Sequence, residues 1–247
     1  RTASGIDGTY SARRVDDRGM VAAVDEVRYG RLTGANVTMP HKQIAFELAD
    51  RVSEAALRSG AVNTLVRRDG EVWGFNTDVD GILVVWDDRG LPTIGPVLIL
   101  GAGGAVRGVL GMLLSKKPGL LTIANRTIEK AEKLAEDFFH VWDVQPCRYD
   151  ELGREKYDLI INGTSAGLHN EMPPVPDSVL GINSVCYDMM YNLTQQTLFV
   201  NWAMDRGALR AFDGLGMLVE QAAESFYIWR GVRPQTAPVI SALRETL

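Results

Sequence analysis

Apolar positions along this chain change their period from one stretch to the next. In GMVAAVDEVRYG (Gly19–Gly30) they recur every three or four residues, which predicts an amphipathic helix. TYSARRV (Thr9–Val15) predicts a short strand, and GANVTM (Gly34–Met39) predicts a buried one. KQIAFELAD predicts a helix with Pro40 just ahead of its start, where proline's missing donor costs little. AVNTLVRRDGEVWGFN predicts two strands joined at Asp69-Gly70, a strong hairpin signal. VDGILVVWDDRG predicts a further helix.

The texture changes at GLPTIG (Gly90–Gly95), a proline- and glycine-rich linker. Beyond it, VLIL, LTIAN, DLIING and SVCYDMMY predict strands separated by helices, the alternation of parallel βαβ units. Two helical stretches close the chain, LGMLVEQAAESFYIWRGV and TAPVISALRETL. No stretch repeats at a fixed period.

Composition narrows the class. The 247 residues suffice for one large domain or two modest ones, and 46% hydrophobic with 23% charged is the balance of a globular protein. A net charge of −5 argues against a nucleic-acid or anionic-membrane partner. No apolar run reaches the ~18 residues of a membrane span, and no signal peptide is visible. Cys147 and Cys186 have no metal-ligand spacing, and His41, His140 and His169 are scattered, so no metal is expected. Two unclustered cysteines read as reduced thiols, which suggests a cytoplasmic location.

Candidate chemistry begins at VLILGAGGAVRGVLGMLL. An apolar strand, a glycine cluster and an apolar helix follow one another, the context a dinucleotide-binding turn requires. Gly101, Gly103 and Gly104 leave no Cβ where a pyrophosphate approaches the helix N-terminus. The sixth position is Val106, so the fingerprint is a variant. The second strand ends TIANRT without the carboxylate that binds a ribose 2′-OH. Arg126 stands there instead, between Asn125 and Thr127. A guanidinium suits the 2′-phosphate of NADP, although an arginine at this point can also cap the next helix or lie in solvent.

In the first half, NVTMPHK, GAVNTL and GFNTD each end an apolar strand in polar residues: Asn36, Thr38, Lys42, Asn63, Asn76, Thr77 and Asp78. Together they offer hydrogen-bond donors and acceptors, one ammonium and one carboxylate, which suits a small polyhydroxylated substrate. Taken singly, Asn63 and Thr77 also fit turn chemistry, and Asp78 also fits a helix N-cap.

GANVTMPHK, SGAVNTLV, NTDVDG, GAGGAVRG, ANRT, DLIINGTSAGL, CYDMMY and DGLGMLVEQAA occur in this order, and the chain from about Gly34 onward resembles the shikimate dehydrogenase family. The family's enzymes use NADP to reduce 3-dehydroshikimate. The resemblance implies that Lys42 is the catalytic lysine and Asp78 its partner. It implies substrate contacts at Thr38, Asn63, Asp78, Tyr191 and Gln221. It implies cofactor contacts at Gly101, Ala102, Gly103, Gly104, Ala105, Asn125, Arg126, Thr127, Met189, Gly214 and Met217. Met217 and Gln221 lie four apart, so they share a helix face. The implied fold is α/β in two domains. The first is an N-terminal α/β substrate domain over residues 1–85, rejoined by the C-terminal helix at 233–247. The second is a Rossmann-type, doubly wound parallel sheet domain over 90–215, with residues 216–232 a connecting helix lining the cleft. A cytoplasmic monomer or homodimer acting on a small molecule is expected, with neither nucleic acid nor membrane as partner.

The chain also departs from the family pattern. The family opens with a strand and a serine-rich turn that hold the substrate carboxylate; RTASGIDGTY matches the stretch beyond them, the end of the first helix and its turn. The natural protein is therefore expected to carry that strand and turn ahead of Arg1. Val79-Asp80 stands where glycine is common, and TQQTLF lacks the usual proline. Close relatives act on quinate or an amino-substituted shikimate, and a catalytically silent NADP-binding regulator could share the fold. Intact Lys42 and Asp78 argue against the silent protein.

Overall fold

The computed structural model describes residues 8–92 and 94–245. Helix α1 (Asp17–Arg28) starts behind Asp16, whose carboxylate accepts from the Gly19 N–H at 2.7 Å. Its buried face, Met20, Val24 and Val27, closes a small core over strand β1 (Gly34–Asn36), helix α2 (Lys42–Leu48), strand β2 (Arg51–Val52), helix α3 (Glu54–Ser59) and strands β3 (Thr64–Arg68) and β4 (Glu71–Phe75). The strand order is β1-β3-β4-β2, with β2 parallel to β4 and the other pairs antiparallel. Asp69 and Gly70 turn the β3–β4 hairpin at φ of 50° and 87°, the left-handed pair that the dipeptide favours.

Two expected strands differ. Thr9–Val15 forms no strand; only Val15 reaches the small core, and most of the rest is exposed. The segment has no apolar stripe to bury. Its polar groups bond outward instead, Arg13 to Glu26 at 2.7 Å and the Tyr10 hydroxyl to Asn36 Oδ1 at 3.0 Å. Gly34–Met39 is shorter and less buried than expected. The strand stops at Asn36, and beyond buried Val37 the chain leaves the sheet before Pro40, which has no N–H for a ladder. The helix end and turn expected at the start of the chain fall mainly on residues 1–7, outside the described residues.

Helix α4 (Thr77–Arg89) leads to the second sheet. In chain order its elements are β5 (Pro96–Leu100), α5 (Gly104–Ser115), β6 (Leu120–Ala124), α6 (Ile128–Phe138), β7 (Val144–Cys147), β8 (Tyr157–Asn162), β9 (Leu180–Asp188), α7 (Leu198–Asp205) and β10 (Arg210–Phe212). All six strands are parallel, in the order β10-β9-β8-β5-β6-β7. This is the doubly wound arrangement. The chain winds one way from β5 and the other way from β8, so the switch point lies between those two strands. Alternate residues feed the two faces. Val97, Ile99, Leu159 and Ile161 enter one core, while Leu98, Leu100 and Ile160 enter the other.

Helix α8 (Leu215–Arg230) runs back toward the small sheet, where the Trp229 indole donates to the Leu65 carbonyl at 2.9 Å. It crosses α4 closely: a Cβ at Gly81 would sit 2.8 Å from the Met217 carbonyl oxygen, so only glycine admits this approach. Helix α9 (Ala237–Arg244) packs on α8, and Arg244 pairs with buried Asp213 at 2.7 Å just ahead of α8.

Candidate active site

The polar ends of β1, β3 and β4 meet the first turns of α2 and α4 and one face of α8. Lys42 opens α2 and Asp78 sits in the first turn of α4. Lys42 Nζ donates to Asp78 Oδ2 at 2.6 Å, with both side chains partly open to solvent. Asn63 ends the turn into β3, is 3% exposed, and donates through Nδ2 to Asp78 Oδ1 at 2.9 Å. Gln221 joins from α8: its Oε1 lies 3.4 Å from Asn63 Nδ2 and 3.3 Å from the Thr77 hydroxyl. Asn36 reaches the Asn63 carbonyl oxygen through Nδ2 at 3.3 Å.

Asp78 is not the cap of α4. The Asn76 side chain accepts from the Asp78 N–H at 3.1 Å, which leaves the Asp78 carboxylate free to hold Lys42 and Asn63. Thr38 and Tyr191 are exposed and join none of these hydrogen bonds among the described residues.

The glycine turn lies at the switch point of the large sheet. Gly101 has φ +100°, and a Cβ there would press on the Gly163 backbone at 3.2 Å, so the β5 and β8 ends close together only over glycine. Gly103 caps α5 without a side chain, and a Cβ at Gly103 or Gly104 would meet no atom within 4 Å. That open space over free N–H groups fits a pyrophosphate. At the next strand tip, Asn125 Nδ2 donates to the Thr127 carbonyl at 2.7 Å, and Arg126 is exposed beside half-buried Tyr149. Met189, Gly214 and Met217 converge at the ends of β9 and β10: a Cβ at Gly214 would run into the Met189 carbonyl, and Met189 and Met217 share the core on that face.

Residues 2–65 match the shikimate dehydrogenase substrate binding domain, residues 94–170 match shikimate / quinate 5-dehydrogenase, and residues 214–244 match the shikimate 5′-dehydrogenase C-terminal domain. Shikimate dehydrogenase (NADP(+)) of Cellvibrio japonicus is 47% identical over 99% of this chain and 89% of its own. The chain belongs to the shikimate dehydrogenase family. Among solved structures, shikimate 5-dehydrogenase from Thermus thermophilus in complex with NADP(H) and shikimate superposes with a TM-score of 0.86 at 32% identity, covering 98% of this chain and 90% of that one. The 5-ketofructose reductase of Gluconobacter sp. strain CHM43 has a TM-score of 0.81 at 32% identity, covering 94% and 86%. The family matches span Lys42 and Asn63, the glycine turn with Asn125–Thr127, and Met217 with Gln221; Asp78, Met189 and Tyr191 fall between them.

The structure adds polar residues that reading the sequence did not single out. Thr64 and Ser225, both wholly buried, bond to each other at 2.8 Å beside Asn63. Asn162 and Asp188, at the ends of β8 and β9, bond at 3.0 Å, and Thr164 donates to Asn162 Oδ1 at 2.7 Å. The signal for the last three was available, since polar residues at strand ends are where such sheets place ligand groups. No group of three or more His, Cys, Asp or Glu that could hold a metal ion occurs among the described residues. Nor is any helix among them long and apolar enough to cross a membrane.

Burial raises the Asp188 carboxyl from its ordinary 3.8 to about 6, against hydrogen bonds from Thr197, the Met190 N–H and Asn162 that lower it. Burial also raises Asp80, on the first turns of α4, to about 6, with Glu224 adding and Arg233 opposing. A raised carboxyl favours the folded state while protonated, so the stability it contributes at low pH is lost as pH rises through about 6. Asp188→Asn keeps the Oδ1 acceptor and cannot ionise. Denaturant midpoints should therefore show it gaining on the wild type, on the order of 2 kcal/mol between about pH 4 and about pH 7. Parallel curves would remove Asp188 from the pH response.

Proposed function

We propose that this chain catalyses the reversible NADP-dependent reduction of 3-dehydroshikimate to shikimate, with Lys42 as its acid/base group. The observation that carries the reading is the 2.6 Å contact between Lys42 and Asp78, set beside Asn63 and Gln221. It brings a proton source, an orienting carboxylate and amides suited to hydroxyl groups into one place.

When bound, NADPH supplies the hydride. Lys42 gives its proton to the carbonyl oxygen as negative charge develops there, and takes it back in the oxidation direction. Asp78 aims the ammonium. Asn63, Gln221, Thr38 and Tyr191 hold and flank the substrate ring. The backbone of Gly101–Ala105 and the α5 N-terminus receive the pyrophosphate. Arg126, with Asn125 and Thr127, receives the 2′-phosphate. Met189, Gly214 and Met217 line the nicotinamide. Residues 1–85 with the C-terminal helix form the substrate side and 90–215 the cofactor side, with 216–232 lining the cleft between. We read the enzyme as cytoplasmic, a monomer or homodimer acting on a small molecule.

The test is a panel of shikimate, quinate, aminoshikimate and 5-ketofructose, assayed for turnover with NADP(H) and with NAD(H). Shikimate with NADP is expected to have the highest kcat/KM. Preference for quinate, aminoshikimate or the ketose would reassign the substrate, and NADPH binding without turnover of any would favour a silent cofactor-binding protein.

A further inference from the structure

Asn63 is fixed at both ends by groups whose roles admit no exchange. The Thr77 backbone N–H can only donate, and it meets Asn63 Oδ1 at 2.9 Å. The Asp78 carboxylate accepts from Nδ2 at 2.9 Å. The amide therefore has one orientation, and the hydroxyls around it must conform to that orientation. Thr64 Oγ1 lies 2.9 Å from Asn63 Oδ1 and 2.8 Å from Ser225 Oγ. Ser225 Oγ in turn lies 3.0 Å from Asn36 Nδ2, whose own Oδ1 accepts from the Tyr10 hydroxyl at 3.0 Å. Each group can thus donate to the next, from Tyr10 through Asn36, Ser225, Thr64 and Asn63 to Asp78, where Lys42 arrives from the other side.

Ser225 is the member of this chain that helix α8 contributes, and it is wholly buried. Its hydroxyl also lies 3.2 Å from Thr77 Oγ1 and can donate to the Gln221 carbonyl at 3.0 Å, the alternative to donating to Thr64. Alanine is the better helix former in mid-helix, and a serine bonding back to the previous turn adds no helix stability. Beyond its bond back to Gln221 on α8, the hydroxyl joins partners on β1, β3 and α4.

We propose that Ser225 is a positioning residue for the reaction. Its hydrogen bond with Thr64 Oγ1 holds that hydroxyl against Asn63 Oδ1, and so helps keep Asn63 Nδ2 against Asp78 and Asp78 against Lys42. It reaches the reacting groups through Thr64, Thr77 and Asn63, not directly. The inference rests on the reaction proposed above for Lys42 and Asp78.

The experiment is a double-mutant cycle with shikimate and NADP on the full chain. Ser225→Ala should lower kcat about 10-fold, the scale of one buried hydrogen bond, with NADPH binding unchanged. Ser225→Cys keeps the branching with a little more bulk and is a weak donor, and it should show a similar loss; it serves if the alanine variant folds poorly. In the Asp78→Asn background the same Ser225 substitutions should change kcat less than about 2-fold, because a group acting through Asp78 has little left to position. A purely packing role would give factors that multiply. Full kcat in both Ser225 variants, or equal losses in both backgrounds, overturns the proposal. A wild type that turns over no substrate overturns the functional reading and this inference with it, whereas with an active wild type the result bears on Ser225 alone.

Discussion

Lys42→Ala is expected to yield a folded protein that binds NADPH normally and turns over about 10²- to 10⁴-fold more slowly, the usual worth of a positioned acid/base group. The fold does not depend on the ammonium. Lys42 is partly exposed, among the described residues its one ion pair is with Asp78, and its carbonyl, which accepts from the Val62 N–H at 2.9 Å, survives the substitution. A partly exposed pair of this kind contributes only about 0–1 kcal/mol to stability. Asp78→Asn should also lower kcat, and the structure makes that variant informative. Because Asn76 supplies the cap of α4, loss of the Asp78 charge leaves the helix start intact. A drop in kcat with an unchanged melting temperature then reports on Lys42, not on the helix. Near wild-type kcat in Lys42→Ala would remove the lysine from the mechanism.

The parts of this molecule that could be read from sequence are those whose physics is local. Asp69-Gly70 specifies its turn within two residues, and both adopt the left-handed backbone it implies. The strand, glycine cluster and helix around Gly101 form one contiguous unit, as do the apolar strands that feed both faces of the large sheet. Thr9–Val15 has no apolar face to bury, so the strand expected there does not form. Strand β7 escaped notice because Pro146 interrupts it, which an edge strand tolerates. Asp78 fits a helix cap as well as a site carboxylate, and only the start of α4 at Thr77, with Asn76 as its cap, separates the two roles. Ser225 was out of reach for a different reason. It meets Thr77 across 148 residues, and nothing near it in the chain marks that encounter.

Arg126→Ala is expected to raise KM for NADP about 10- to 150-fold while leaving KM for NAD nearly unchanged, since a charge-assisted hydrogen bond contributes roughly 1.5–3 kcal/mol. The guanidinium is exposed at the tip of β6 and forms no ion pair among the described residues. Its strand tip is shaped without it: the Asn125 N–H bonds the Cys147 carbonyl at 3.2 Å, and Asn125 Nδ2 bonds the Thr127 carbonyl. Truncation therefore removes a positive charge from the surface without loosening the turn that presents it. NADP and NAD differ only by the 2′-phosphate, so the ratio of the two KM changes isolates that group from the rest of the cofactor. The NADP preference should also weaken as salt is raised, because an exposed guanidinium–phosphate pair is screened within about 8 Å at physiological ionic strength. Equal losses with both cofactors would place Arg126 in the folding of the turn and leave the 2′-phosphate to another residue.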